Sequence, residues 1–486
     1  MFSLRDALFA FVILSIFILV ARLIKQKARW IQQLYLPESV VAGFLVLLLG
    51  QEVLGAIITN LGGENALFAG GLFSQPIRTV WQQSPGVFIN VVFAALFLGE
   101  SIPNPKQIWK KAAPQVIFGQ TLAWGQYVVG ILLTLLILVP VFDMNPLVGS
   151  LIEIAFEGGH GTAAGMEQTF IDLNFPEGGD LALGLATVGI VSGIITGTLL
   201  ASWGRKKGHI KTFKKEGQKF STYEGLSASE IKEKEEKIKL KRIQLYKNLL
   251  IDPLSLNFGF VGLAIAIGWL ILEGLKLIES MTWGATGLTL MNYIPLFPMA
   301  LIGGIIVQIT LEKIGLKELI NRRLMNNLAG LALDIVVGTA LASISLQVLG
   351  ANIIPFLLLG IVGIIWNIFA FVVIAPKIIP SYWFERGICD FGQSMGVTAT
   401  GILLLRMVDP DNKSGAFESF AYKQLFFEPI VGGGLFTAAA PILINEFGSL
   451  SILLLTSLLL IVWLGLGFFF FGKDSKQARI AEKINR

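Results

Sequence analysis

Charge is scarce in this chain. Asp, Glu, Lys and Arg make up 15% of its 486 residues, against 54% hydrophobic residues. A soluble domain carries about 25% charged residues, so this chain lacks the polar surface to face water on all sides. Cysteine is nearly absent, and the single Cys389 excludes an intrachain disulfide or a cysteine-based metal cluster. Only two histidines occur, His160 in an apolar stretch and His209 in a charged one, which argues against a transition-metal site. No Walker A element, no Gly-x-Gly-x-x-Gly after a strand and no His-Glu-x-x-His is found. A nucleotide-driven pump and a soluble enzyme are therefore not expected. The period-2 alternation of a membrane β-barrel is lacking too.

Present instead are long, continuously apolar runs, with a mean hydropathy of +0.71. A helix needs about 20 such residues to cross hydrocarbon, and helices satisfy their own backbone there. Eleven spans are expected, at about 4–22, 37–58, 86–101, 114–140, 181–203, 252–274, 293–311, 327–348, 352–375, 424–445 and 450–472. The first leads straight into basic residues without a small-residue cleavage site, so it reads as helix 1 rather than a leader.

A net charge of +5 could suggest nucleic acid, but its location argues otherwise. Residues 205–247 hold 14 Lys/Arg and 6 Asp/Glu, leaving 24 basic and 27 acidic residues elsewhere. The excess sits in one hydrophilic connector with mixed-sign helical pairs. Lys and Arg also set the orientation. They follow helices 1, 3, 5, 7 and the last span, placing the N-terminus outside and the connector and C-terminal tail in the cytoplasm.

Two glycine-broken stretches, about 147–170 and 381–407, suit re-entrant hairpins better than straight spans. Each follows the fourth span of its half, and by the charge rule they enter from opposite sides. They share Thr162-Ala163-Ala164-Gly165 and Thr398-Ala399-Thr400-Gly401. The expected fold is all-α and polytopic: two inverted-topology repeats of five spans, each with a re-entrant hairpin, and an extra C-terminal helix. The domains are an N-terminal repeat at 1–204, a linker at 205–249, a C-terminal repeat at 250–446, and the extra helix and tail at 447–486. Paired, interrupted segments in corresponding places mark the binding site of a secondary transporter.

The chain resembles the bacterial sodium/glutamate symporters. The matching stretches are Leu36-Pro-Glu-Ser-Val-Val-Ala-Gly43, Gly158-Gly-His-Gly-Thr-Ala-Ala-Gly165, Cys389-Asp-Phe-Gly392 with Thr398-Ala-Thr-Gly401, and Pro429-Ile-Val-Gly432. The resemblance implies sodium-coupled import of an acidic amino acid by a homodimer with an elevator-like motion in the cell inner membrane. It implies no cofactor beyond sodium as coupling ion. The charged linker, the eleventh span and the Gly-Gln-Ser-Met-Gly tip depart from the commoner family pattern. A sodium- or proton-coupled carrier of another organic anion, such as a dicarboxylate, stands as the alternative. A channel would need a filter or ring instead.

Candidate substrate residues are Gly158, Gly159, His160, Gly161, Thr162, Gly392, Gln393, Ser394 and Gly396. Glycines let backbone approach a ligand closely, and a half-helix N-terminus favours a carboxylate. Thr162, Thr398, Thr400 and Asp334 are candidate sodium ligands, as hard oxygens or as an acid within a span, where ionisable groups are costly. Glu153, Asp390 and Glu428 are further intramembrane acids. His160 could donate to a substrate carboxylate, shuttle a proton or brace the hairpin. Arg386 and Arg406 could pair a substrate carboxylate or snorkel to the interface.

Overall fold

A computed structural model describes residues 2–28, 31–32, 36–100, 105–210, 252–286 and 289–484. Most of the charged linker, including 211–249, lies outside the described residues. Among the described residues the chain is helical and contains no strand. Among the described residues ten helices are long and apolar enough to cross a membrane. In chain order, the helices are α1 (Leu4–Lys27), α2 (Glu38–Gly62), α3 (Gln75–Ala95), α4 (Ala112–Phe142), α5 (Leu151–Phe156) and α6 (Gly159–Gly165). They continue with α7 (Glu177–Lys206), α8 (Pro253–Met281), α9 (Leu296–Lys313), α10 (Arg322–Ser343), α11 (Ile353–Ile378) and α12 (Trp383–Val408). The chain closes with α13 (Ala416–Phe427), α14 (Leu435–Phe447) and α15 (Ser449–Ile484).

Local chemistry sets several ends. Ser3 and Asp6 form a reciprocal capping box that opens α1, and Lys25 and Lys27 close its last turn. Arg322 opens α10 and donates to the carbonyls of Ala95, Leu96 and Leu98, so it caps the C-terminus of α3.

Two spans differ from their sequence expectation. The third corresponds to α3, which begins at Gln75 rather than near 86 and is not among the ten, because Gln75, Arg78, Gln82 and Gln83 lower the hydropathy of a helix that continues through Pro85. The tenth is not continuous. α13 and α14 are separated by 428–434, where Gly432 (φ 73°) and Gly433 (φ 104°) take left-handed backbone.

The helices pack as two bundles. α1, α2 and α3 pack with α8, α9 and α10, while α4, α5 and α7 pack with α11, α12, α13 and α15. Each half of the chain thus gives its first three helices to one bundle and the rest to the other. α6 crosses between them: Gly161 abuts Ile89 and Leu333, and Gly165 abuts Ile89 and Phe297. A Cβ at either glycine would crowd these neighbours at 3.1–3.3 Å.

The halves also share irregularities. A π-helical turn at Thr134–Leu138 precedes Pro140, and another at Ala370–Ile374 precedes Pro376. Each member of the second set lies 236 positions after its counterpart, as Gly401 does after Gly165.

α12 is enclosed rather than exposed: 72% of its most apolar window is buried, against 17% for α1 and the C-terminal helix. It is also not straight. Helical geometry breaks at Gly396 and Val397, the latter at φ 63°, ψ 170°. A Cβ on Gly392 would lie 2.7 Å from Gly401 Cα, and one on Gly401 would lie 2.4 Å from the Cys389 carbonyl oxygen. In a straight helix, residues 389 and 401 would stand about 18 Å apart at about 1.5 Å per residue. The segment therefore doubles back on itself, with paired glycines letting its arms touch.

Candidate functional site

The site is built where helices stop. α5 ends at Phe156, the chain turns through Glu157 and Gly158, and Gly159 (φ 67°) opens α6. This break meets the break of α12 directly: a Cβ on Gly159 would lie 2.2 Å from a γ-methyl of Val397. The third break, 428–434, closes on the same place. A Cβ on Gly433 would lie 2.6 Å from the Thr162 hydroxyl.

Broken helices leave backbone groups without intrahelical partners, and buried polar side chains take their place. Ser394 and its carbonyl lie just before the break of α12. That carbonyl accepts from Gln126 Nε2 at 2.7 Å and Asn367 Nδ2 at 3.2 Å. The Ser394 hydroxyl donates to Glu157, linking the two tips. Glu153 acts as a knot: Tyr127 donates to its Oε2 at 2.5 Å, while Gly432 N–H and the Thr437 hydroxyl donate to Oε1 at 2.8 and 2.9 Å. One carboxylate thereby ties α4, α5 and the third break together.

Lys423 is the cation of the cluster. It is fully buried, 3.0 Å from Asp390 Oδ1 and 2.8 Å from Gln393 Oε1, with the Phe427 ring 4.0 Å away. Gln393 Nε2 makes long contacts to Gln424 (3.3 Å) and Glu428 (3.4 Å). Thr398 accepts from Gln424 at 2.9 Å and donates to Glu428 at 3.3 Å. The result is a continuous polar chain from Asp390 to the second tip.

Most residues singled out from sequence fall inside this cluster. Gly158, Gly159, Thr162, Gln393, Ser394, Gly396 and Thr398 lie at or beside the breaks. Gly392 serves the contact between the arms of α12, and Gly161 the contact between bundles. Thr400 donates to the Gly396 carbonyl at 2.5 Å, bracing the turn. His160 is buried, and its Nε2 lies 2.9 Å from the Thr187 hydroxyl, in keeping with a bracing role. Asp334 lies elsewhere: it is half-buried in α10, and its polar neighbours are Ser39 and Glu38 of α2 rather than either tip. Arg406 is exposed, and Asp390 is paired by Lys423 rather than by a hairpin arginine.

Sequence reasoning missed Lys423, Glu157, Gln126 and Tyr127. For Lys423 a signal existed: phenylalanines at i−3 and i+4 put this lysine on an apolar helical face. Several oxygens here are buried without a hydrogen-bond partner, namely Glu157 Oε2, Thr162 Oγ1 and Gln126 Oε1. Unsatisfied buried oxygens are costly, and hard oxygens are what an alkali cation takes as ligands.

Three interrupted helices of a multi-pass helical membrane protein thus converge on a buried polar cluster, the kind of arrangement that secondary transporters, as a class, use at their ligand sites. The sodium/glutamate symporter family matches residues 4–409, and the chain belongs to that family. Membership implies sodium-coupled glutamate transport. The match includes both tips and stops short of Lys423 and Glu428. A comparison with curated proteins finds no match.

Proposed function

We propose that the chain imports glutamate with sodium by alternating access, in an elevator-like motion of one bundle against the other. The observation that carries this reading is the meeting of Gly159 and Val397, two left-handed breaks placed among orphaned buried oxygens. Glu157, Thr162 and Gln126, with the Ser394 carbonyl, supply oxygens for sodium, and Thr398 lines the approach. Gln393 and the backbone around Gly158, Gly159 and Gly396 receive the substrate carboxylates.

The division of each half between two bundles supports the two inverted repeats, with both broken segments re-entrant from opposite faces. α4, α5, α7 and their counterparts α11, α12 and α13 carry the site. α1–α3 with α8–α10 form the frame and the surface for a homodimer in the inner membrane. The lysine and arginine distribution favours an outside N-terminus and cytoplasmic linker and tail. Glutamate carries net −1, so entry against −100 mV costs about 2.3 kcal/mol. One sodium ion cancels that electrical work, and a second harnesses the potential.

Uptake of labelled glutamate into proteoliposomes tests the reading. Uptake above equilibrium is expected with an inward sodium gradient and not with potassium. Uptake driven only by a proton gradient, or of dicarboxylates and not glutamate, would overturn it in favour of another organic anion or coupling ion.

A further inference from the structure

We propose that Lys423 is a positioning residue for substrate recognition. Its ammonium fixes the Gln393 carboxamide with the NH2 group turned toward the second tip, ready for a carboxylate of the substrate. The inference rests on the reading that this tip receives the substrate.

The orientation follows from chemistry. An ammonium has three donors and no acceptor, so the carboxamide group 2.8 Å from Lys423 Nζ must be the oxygen. The NH2 end then faces Gln424 and Glu428, at 3.3 and 3.4 Å. Both contacts are near the limit of a hydrogen bond, so the donor is weakly engaged, and a substrate carboxylate that approaches more closely than Glu428 can take it. Lys423 can hold it because the lysine is itself held. Asp390 lies one turn before Gln393 on the same helical face, and both grip the ammonium. The Phe420 and Phe427 rings flank it, and its stem lies against Gly119, where a Cβ would come within 2.9 Å of Cε and Nζ.

Stability alone is a poor reason for such a pair. Burying two charges costs desolvation that their attraction scarcely repays, and removing both together is often harmless.

The test is the double variant Lys423→Met with Asp390→Asn, with Gln393→Met beside it as a variant that keeps the ion pair. Sodium-driven glutamate uptake is measured in proteoliposomes per amount of folded protein, together with thermal stability. Half-saturating glutamate at saturating sodium is expected to rise about tenfold, or about 1.4 kcal/mol, in both. Half-saturating sodium at saturating glutamate should move by less than about twofold, since no ion ligand is removed and the net charge of the site is kept. A glutamate constant unchanged in either variant overturns the proposal, as does a parallel shift of both constants, which marks a general structural role. Wild-type protein that takes up no glutamate overturns the functional reading on which it rests, independently of the variants.

Discussion

Replacing Glu153 by alanine removes the carboxylate on which Tyr127, Gly432 and Thr437 converge. The Gly432 amide sits at φ 73° in a buried turn and has no freedom to aim elsewhere. Leaving such a donor unsatisfied costs about 1–3 kcal/mol, and each hydroxyl loses a charge-assisted bond worth about 1.5–3 kcal/mol, partly recovered by rotation. The total is about 3–6 kcal/mol. With about 2.1 cal/mol/K of unfolding entropy per residue, a chain of 486 residues shifts about 1 °C for each kcal/mol. Glu153→Ala should therefore melt about 3–6 °C below wild type. Glu153→Gln keeps an oxygen for Gly432 and Thr437 and lets the Tyr127 hydroxyl turn to accept, so it should lose less than half of that. Thermal unfolding of purified, detergent-solubilised protein by size-exclusion fluorescence measures the order. The exposed Glu446→Ala serves as control, expected within about 0.5 kcal/mol of wild type. A Glu153→Ala protein that melts with wild type would refute the knot.

Gly159→Ala forces a side chain onto left-handed backbone and into the Val397 γ-methyl. Uptake should fall to background while Gly86→Ala, with open space around it, transports normally. Thr398→Val removes a hydroxyl that touches Gln424 and Glu428. The sodium concentration for half-maximal uptake should rise several-fold with expression intact, and an unchanged value would remove Thr398 from the ion path. Cys389 is completely buried, with its carbonyl oxygen against Gly401. A membrane-impermeant maleimide should leave it unlabelled from both sides in the ligand-free protein and label it after SDS, and rapid native labelling would contradict this packing.

The apolar runs located most helices because span length is set by hydrocarbon thickness, a property of each segment alone. Glycine clusters located the two breaks, since left-handed and close-approach backbone leaves a mark in local composition. The Thr-Ala-x-Gly pair, though only a few residues long, falls at the same 236-residue offset as the π-turns and their prolines. What could not be read was the partnering. Gln126 reaches Ser394 across 268 positions, and Thr437 reaches Glu153 across 284. No periodicity encodes such pairs. Asp334 shows the limit of reasoning from cost: an acid in a span does need a polar neighbour, but Ser39 answers that need away from the site. Lys423 stays hidden because the expected tenth span begins one residue later and runs through the interruption after Phe427 as continuous helix.

Val397 is the one β-branched residue among the described positions held at positive φ, a geometry worth about 1–3 kcal/mol of backbone strain. Its γ-methyl occupies the space that Gly159 leaves by having no side chain. Each tip thus fills the space that the other leaves. Under the proposed alternating access, a step that parted the tips would free the valine to relax. A ligand bridging the tips would favour the joined arrangement by the difference in its affinity for the joined and separated ones. At a few times RT, strain of that size would bias such a step, and one well-placed ion would be enough to offset it.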